Sequence, residues 1–177
     1  MNRQIKLYST GLTFFPLWFL RAMPTNWIFL ATTQFIIISF VLFAGLKYLD
    51  YDDVPAVWKK SILWTTLYGF VSYLIVCGLF FAVNLLVGAV GETTSAGQWL
   101  IDYLVFPLNS NPFSSFFSII FVLLCLLIAG AFIYFMDKKL AFRKAPLDLV
   151  MKHKISLCLA VFSAPYITLF PSAFLYR

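Results

Sequence analysis

The residues best suited to chemistry are three aspartates standing close together, Asp50, Asp52 and Asp53. Carboxylates at this spacing can ligate a hard cation such as Mg²⁺, which takes one or two of them together with phosphate oxygens. A lipid-phosphate enzyme would use such a cluster. It would also need further acidic, imidazole or guanidinium partners, and the single histidine, His153, stands far along the chain in a basic segment. Lys47, Lys59 and Lys60 flank the aspartates, which is the pattern of a solvated acidic turn balanced by neighbouring cations. The turn is the favoured reading, with no catalytic residue, metal ligand or cofactor expected.

The second constellation is basic. Lys138, Lys139, Arg143 and Lys144 lie within seven positions and could contact anionic lipid headgroups or an acidic partner, although charge that fixes membrane orientation explains them equally well. No Gly-rich phosphate loop, nucleophile elbow or Ser/Lys dyad occurs. With no histidine in any apolar stretch, an intramembrane Ser/His protease and haem ligation by paired histidines are both excluded. Proton-coupled transport ordinarily needs a buried acid or histidine, and none is evident in those stretches. Cys77, Cys125 and Cys158 show no C-x-x-C spacing and read as small apolar packing residues rather than a disulfide or zinc framework.

The elements that would position these residues are long and apolar. Between Lys60 and Glu92, and again between Asp102 and Asp137, more than thirty residues pass without Asp, Glu, Lys, Arg or His. A charge at the bilayer centre costs at least about 2.5 to 3.5 kcal/mol, so this stripping marks a chain selected for lipid. The 177 residues are 62% hydrophobic and 11% charged, against about 25% charged in a soluble domain. The runs do not alternate, so helices are expected rather than a barrel. The net charge of +6 flanks the apolar runs and points to headgroups, not to nucleic acid.

The fold expected is an all-α membrane protein in one polytopic domain over 1–177, with four firm transmembrane helices at about 27–46, 61–90, 113–136 and 155–176. Thr25 or Asn26 would cap the first and Asn111-Pro112 open the third, while Trp58 and Trp64 bracket the entry to the second as interfacial anchors. Residues 98–108 are too apolar for a free loop and too short to span, so they read as interfacial or re-entrant. The segment 137–154 fits a short basic helix on a headgroup surface or a solvated linker. The stretch 7–20 has a basic start like a signal peptide but no small-x-small cleavage pattern. It is expected to be retained, either as an interfacial helix or as a short fifth span.

Loops 47–60 and 137–154 together hold nine Lys or Arg. The positive-inside rule therefore assigns them to the cytoplasm of a plasma or bacterial inner membrane, with loop 91–112 and the carboxyl terminus outside. In the fourth span Ser156, Ala160, Ala164, Thr168 and Ser172 recur every four residues as a small-residue packing ridge, and Gly78 and Ala82 repeat the idea in the second. Gln34, Asn84, Tyr166 and Thr168 count to a similar depth from the outer surface, an outer polar patch in which Gln34 and Asn84 are expected to meet. The function expected is a non-catalytic protein acting through helix–helix contacts, as a small subunit, accessory or immunity-type protein of a membrane complex. Its partner would be another membrane protein or a second copy. A small oligomeric channel or transporter using the outer patch, and the lipid-phosphate enzyme, are the alternatives.

Overall fold

The computed structural model describes residues 27–91 and 94–171. The stretch 7–20, the residues 172–176 of the expected fourth span and Ser172 lie outside the described residues. Every regular element among those described is helical: α1 Trp27–Tyr48, α2 Val54–Gly91, α3 Ser95–Leu100, a π-helical turn Ile101–Val105, α4 Phe106–Ser110, α5 Phe116–Lys139 and α6 Leu149–Phe162. Short 3₁₀ turns occupy Pro112–Ser114, Ala141–Lys144 and Tyr166–Leu169. Three stretches are long and apolar enough to cross a membrane, Trp27–Tyr48, Val54–Ala89 and Phe116–Lys144. The protein is therefore helical and membrane-embedded, with three candidate spans among the described residues where four were expected.

The expected fourth span is interrupted for a local reason. α6 begins at Leu149, inside the segment expected to be a surface helix or linker, because Asp148 accepts the Met151 N–H at 2.7 Å and caps it. It stops at Phe162, since Pro165 donates no backbone hydrogen bond and disfavours helical backbone at Ala164. Fourteen residues make about 21 Å of helix, short of the roughly 30 Å hydrocarbon core. The remaining boundaries are close to expectation, except that α2 starts at Val54, seven residues early.

The described residues form two compact units whose boundary falls within α2 and α5. One unit comprises α1, α2 to Val76, α5 from Leu126, and the chain to Pro165. Its α1 buries Gln34, Ile38, Leu42 and Leu46, a strict four-residue stripe. That stripe packs with Val57 and Ile62 of α2, Ile133 of α5, and Ile155, Leu159 and Ala160 of α6. Phe142 and Leu147 join the same core, so this part of the expected basic surface helix is a tucked-in turn, while Leu140 and Val150 remain exposed.

Two local devices hold the unit. Asp50 adopts φ +51°; the Tyr51 N–H bonds Leu46 O and the Asp50 N–H bonds Lys47 O, both at 3.1 Å. This is a Schellman cap with aspartate in the place glycine usually takes, and Tyr51 packs back on the core that contains Leu46. The Tyr51 hydroxyl then donates to Pro146 O at 2.5 Å, tying the α1–α2 turn to the segment before α6. The second device is Gly69, where a Cβ would overlap Gln34 Nε2 and come within 2.9 Å of Ile38 Cδ1. Its bare backbone lets α1 and α2 approach closely. Trp58 seals the same interface, donating from Nε1 to Ser39 Oγ at 3.3 Å between Phe35 and Phe43. It is a packing residue, whereas Trp64 is half-exposed as an interfacial anchor would be.

The other unit contains α2 from Cys77, α3, α4, α5 to Cys125, and the last 3₁₀ turn. Thr94 caps α3 by accepting the Gly97 N–H at 3.1 Å, and Asn111 caps the turn before α5. Trp99, Tyr103, Phe106, Phe113, Phe116 and Phe117 are all exposed. Trp99 stacks on Tyr103 and sits edge-on to Phe117 at 4.8 Å, the kind of aromatic belt that settles at a membrane–water boundary.

Gly69→Ala is expected to destabilise the protein by about 1 to 3 kcal/mol through overpacking. Gly78→Ala, whose Cβ meets nothing within 4 Å, should be neutral or gain up to about 1 kcal/mol from helix propensity. Unfolding in mild detergent followed by circular dichroism compares them, and equal stability of the two variants would refute the close approach at Gly69.

Candidate functional site

The core-facing stripe of α5 runs Ala129, Ile133, Asp137. An acid thus occupies a position where the spacing calls for an apolar side chain. Asp137 is completely buried, and neither of its carboxylate oxygens has a hydrogen-bond partner among the described residues. It also stands in the last turn of α5, where unpaired carbonyls already make the helix end negative. Sequence reading placed Asp137 as the first residue of a loop, because the apolar run ends there. The signal that could have found it is the four-residue step from Ile133, but α5 is apolar on every side, so no stripe stands out before the helix is packed.

Next to it is a chain of polar contacts between α5 and α6. Tyr134 Oη lies 2.6 Å from His153 Nδ1, and Lys138 Nζ donates to the same hydroxyl at 3.0 Å. An ammonium can only donate, so the phenol oxygen accepts from Lys138 and shares one further hydrogen bond with Nδ1 of His153. The arrangement leaves the remaining ammonium protons of Lys138 on a partly exposed surface, donors suited to a phosphate oxygen. Of the residues expected to contact anionic lipid, Lys138 belongs to this chain, and Lys139, Arg143 and Lys144 are exposed around it. Tyr134 was missed in the sequence, where it is one more aromatic in an apolar run.

The aspartate cluster has structural occupations. Asp50 forms the Schellman cap, the Asp53 carboxylate accepts the Ala56 N–H at 3.3 Å at the start of α2, and all three aspartates are exposed. Among the described residues no three His, Cys, Asp or Glu side chains converge to hold a metal ion. Each amide of the expected outer patch has a partner within its own unit. Gln34 Nε2 donates to Ser163 O at 3.2 Å, at the point where α6 ends. Asn84 Nδ2 donates to Phe80 O and its Oδ1 accepts from Asn109 Nδ2, both at 2.8 Å. Tyr166 is exposed and Thr168 buried in the last 3₁₀ turn.

The packing ridge is realised in part. Ser156 and Ala160 are buried on α6, and Ala160 O would sit 3.4 Å from a Cβ at Gly130 of α5, so small residues do bring these two helices together. Ala164 is buried beyond the helix end, and Thr168 lies in a separate 3₁₀ turn, so the ridge is no continuous helical face. Gly78 and Ala82 are exposed. No protein-family model matches the chain, and no curated protein or solved structure matches it.

Tyr134→Phe removes the hydroxyl shared by His153 and Lys138 and should cost about 0.5 to 1.5 kcal/mol. In a double-mutant cycle His153→Ala should then add little in the Tyr134→Phe background. Fully additive losses would show that the two side chains are not coupled.

Proposed function

We propose that the chain is a non-catalytic integral membrane protein working through helix–helix contacts, as a small subunit, accessory or immunity-type protein of a membrane complex. The observation that carries this reading is the open face of α2. Gly78 and Ala82 are one turn apart and exposed, and among the described residues nothing stands within 4 Å of a Cβ at Gly78. Small residues at this spacing let a second backbone come close, which is how helices associate where lipid offers no hydrophobic drive. Phe81, Leu85 and Leu86 beside them are exposed to lipid and would frame the seat.

Orientation follows from charge. All nine described Lys and Arg residues belong to the unit containing α1 and α6, and Asp102 is the charged residue among those described in the other. That distribution supports a cytoplasmic position for 47–60 and 137–154 in a plasma or bacterial inner membrane, with the basic residues against anionic headgroups. The second reading is a small oligomeric channel or transporter, favoured by the part-buried Asn84–Asn109 pair, which would give a self-associated chain a polar level within apolar surroundings.

Photocrosslinking from positions 78 and 82 of the full chain in native membranes tests the assignment. A stoichiometric adduct with a different membrane protein, abolished by Gly78→Leu, is the expected result. An adduct only with a second copy moves the assignment to the oligomeric pathway, and adducts with lipid alone overturn the contact reading. Replacing Asp50, Asp52 and Asp53 together with Asn should leave that adduct at full yield, as measured at matched abundance.

A further inference from the structure

Asp137 combines three features that each disfavour a negative charge: complete enclosure, two oxygens without a donor, and a place in the last turn of α5. The basic groups around it are committed elsewhere. Lys138 donates to Tyr134, His153 is hydrogen-bonded to the Tyr134 hydroxyl, and Lys59, Lys60, Lys139 and Lys154 are exposed. On α6 Lys152 is partly exposed. On α2 the titratable side chain that faces the carboxyl group is Tyr68, which becomes an anion when it ionises. No element packed on Asp137 thus supplies it with a cation among the described residues. Retaining an acid here rather than the Leu or Ile that the stripe calls for makes sense if the carboxyl group exchanges something too small to need a cavity.

We propose that Asp137 is a proton-binding site whose exchange is coupled to movement of the end of α5. In the packing described, the carboxyl group keeps its O–H bond and no buried charge arises. When the Asp137–Lys139 turn parts from α2 and α6, water enters, the O–H bond breaks, the proton passes to that water, and the carboxylate is left solvated. Return of the proton is the condition for closing again. The Tyr134–His153–Lys138 chain lies one turn away across the α5–α6 contact and is disrupted by the same movement. The ligand is the proton and not an alkali ion, because a fully enclosed side chain leaves no room for a coordination shell. The inference concerns a site that the contact reading does not use, and the two stand or fall separately.

Infrared difference spectroscopy on the full chain in phospholipid vesicles reads the site directly. A protonated carboxyl stretch is expected at neutral pH that is absent from Asp137→Asn and shifts only slowly when D₂O replaces water, since exchange awaits opening. Asp137→Glu keeps an acid in the place and should retain the band at a displaced frequency, so the wild type and this variant decide the matter even where Asn disturbs folding. Thermal stability of the wild type should fall from mildly acidic to mildly alkaline buffer as opening is drawn off by deprotonation, and Asp137→Asn should lose this component. A carboxylate band alone at neutral pH, instantaneous exchange in D₂O, or a carboxyl signal that appears only when sodium and potassium are withdrawn would each overturn the proposal.

Discussion

Inside hydrocarbon a polar group has no water to fall back on, and many polar side chains of the long helices are arranged around that demand. Thr32, Thr33, Ser61, Thr65 and Asn84 each return a hydrogen bond to the carbonyl four residues earlier, and Ser72 to the one three earlier. Such back-bonding satisfies the hydroxyl or amide without a second helix. It leaves the packing of the helices to apolar stripes and close backbone approach. Only where a polar side chain reaches past its own helix does it specify which elements meet.

Gln34 is the side chain that does this most. Its amide is almost wholly buried and bonds Ser163 O, a carbonyl freed because α6 stops there. The proline that ends α6 and the glutamine of α1 are thus two halves of one solution. Pro165 shortens the last helix, the shortened helix exposes a carbonyl, and Gln34 pairs with it. Gly69 belongs to the same solution, since only a bare backbone admits the amide between α1 and α2. An interhelical hydrogen bond in a membrane is worth about 0.6 kcal/mol on average. Its role is accordingly one of register: leaving Gln34 unpaired costs more than pairing it gains, so other registers are penalised.

Much of this architecture is legible in the sequence, and what is not has physical causes. The apolar runs give α1 nearly to the residue and place α2 and α5, because stripping charge from a span is a strong one-dimensional signal. The aspartate cluster reads correctly as a turn, its flanking lysines being visible in the same few residues. The last helix defeats the reading. Its hydropathy continues through Pro165 and Pro171, and only the backbone donor missing at Pro165, with Asp148 capping a helix that starts six residues before the expected position, makes it a fourteen-residue element. Facing is hidden for the same reason that spans are easy to find. A helix apolar on all sides has no visible inner stripe, so depth along it can be counted while direction cannot. Gln34 and Asn84 were assigned to each other from depth alone, and each turns to a partner, Ser163 or Asn109, that no counting along the spans could single out.

Asp137 lies where these two blind spots overlap. It ends an apolar run, which makes it resemble a loop residue, and it continues an inner stripe that only packing reveals. Had the chain ended its span one position earlier, or turned by a quarter of a helical turn, the carboxylate would have joined Lys139 and Arg143 in water at no cost. Phe142 prevents both. It is completely buried in the core three residues after Lys139, and the tight Ala141–Lys144 turn that delivers it there fixes the rotation of the last turn of α5. The buried aromatic ring and the buried acid thus flank one short turn of chain. On the proposal made above, a movement that lifts Phe142 from its place would also hydrate Asp137, and the end of α5 would have two packings distinguished by a single proton.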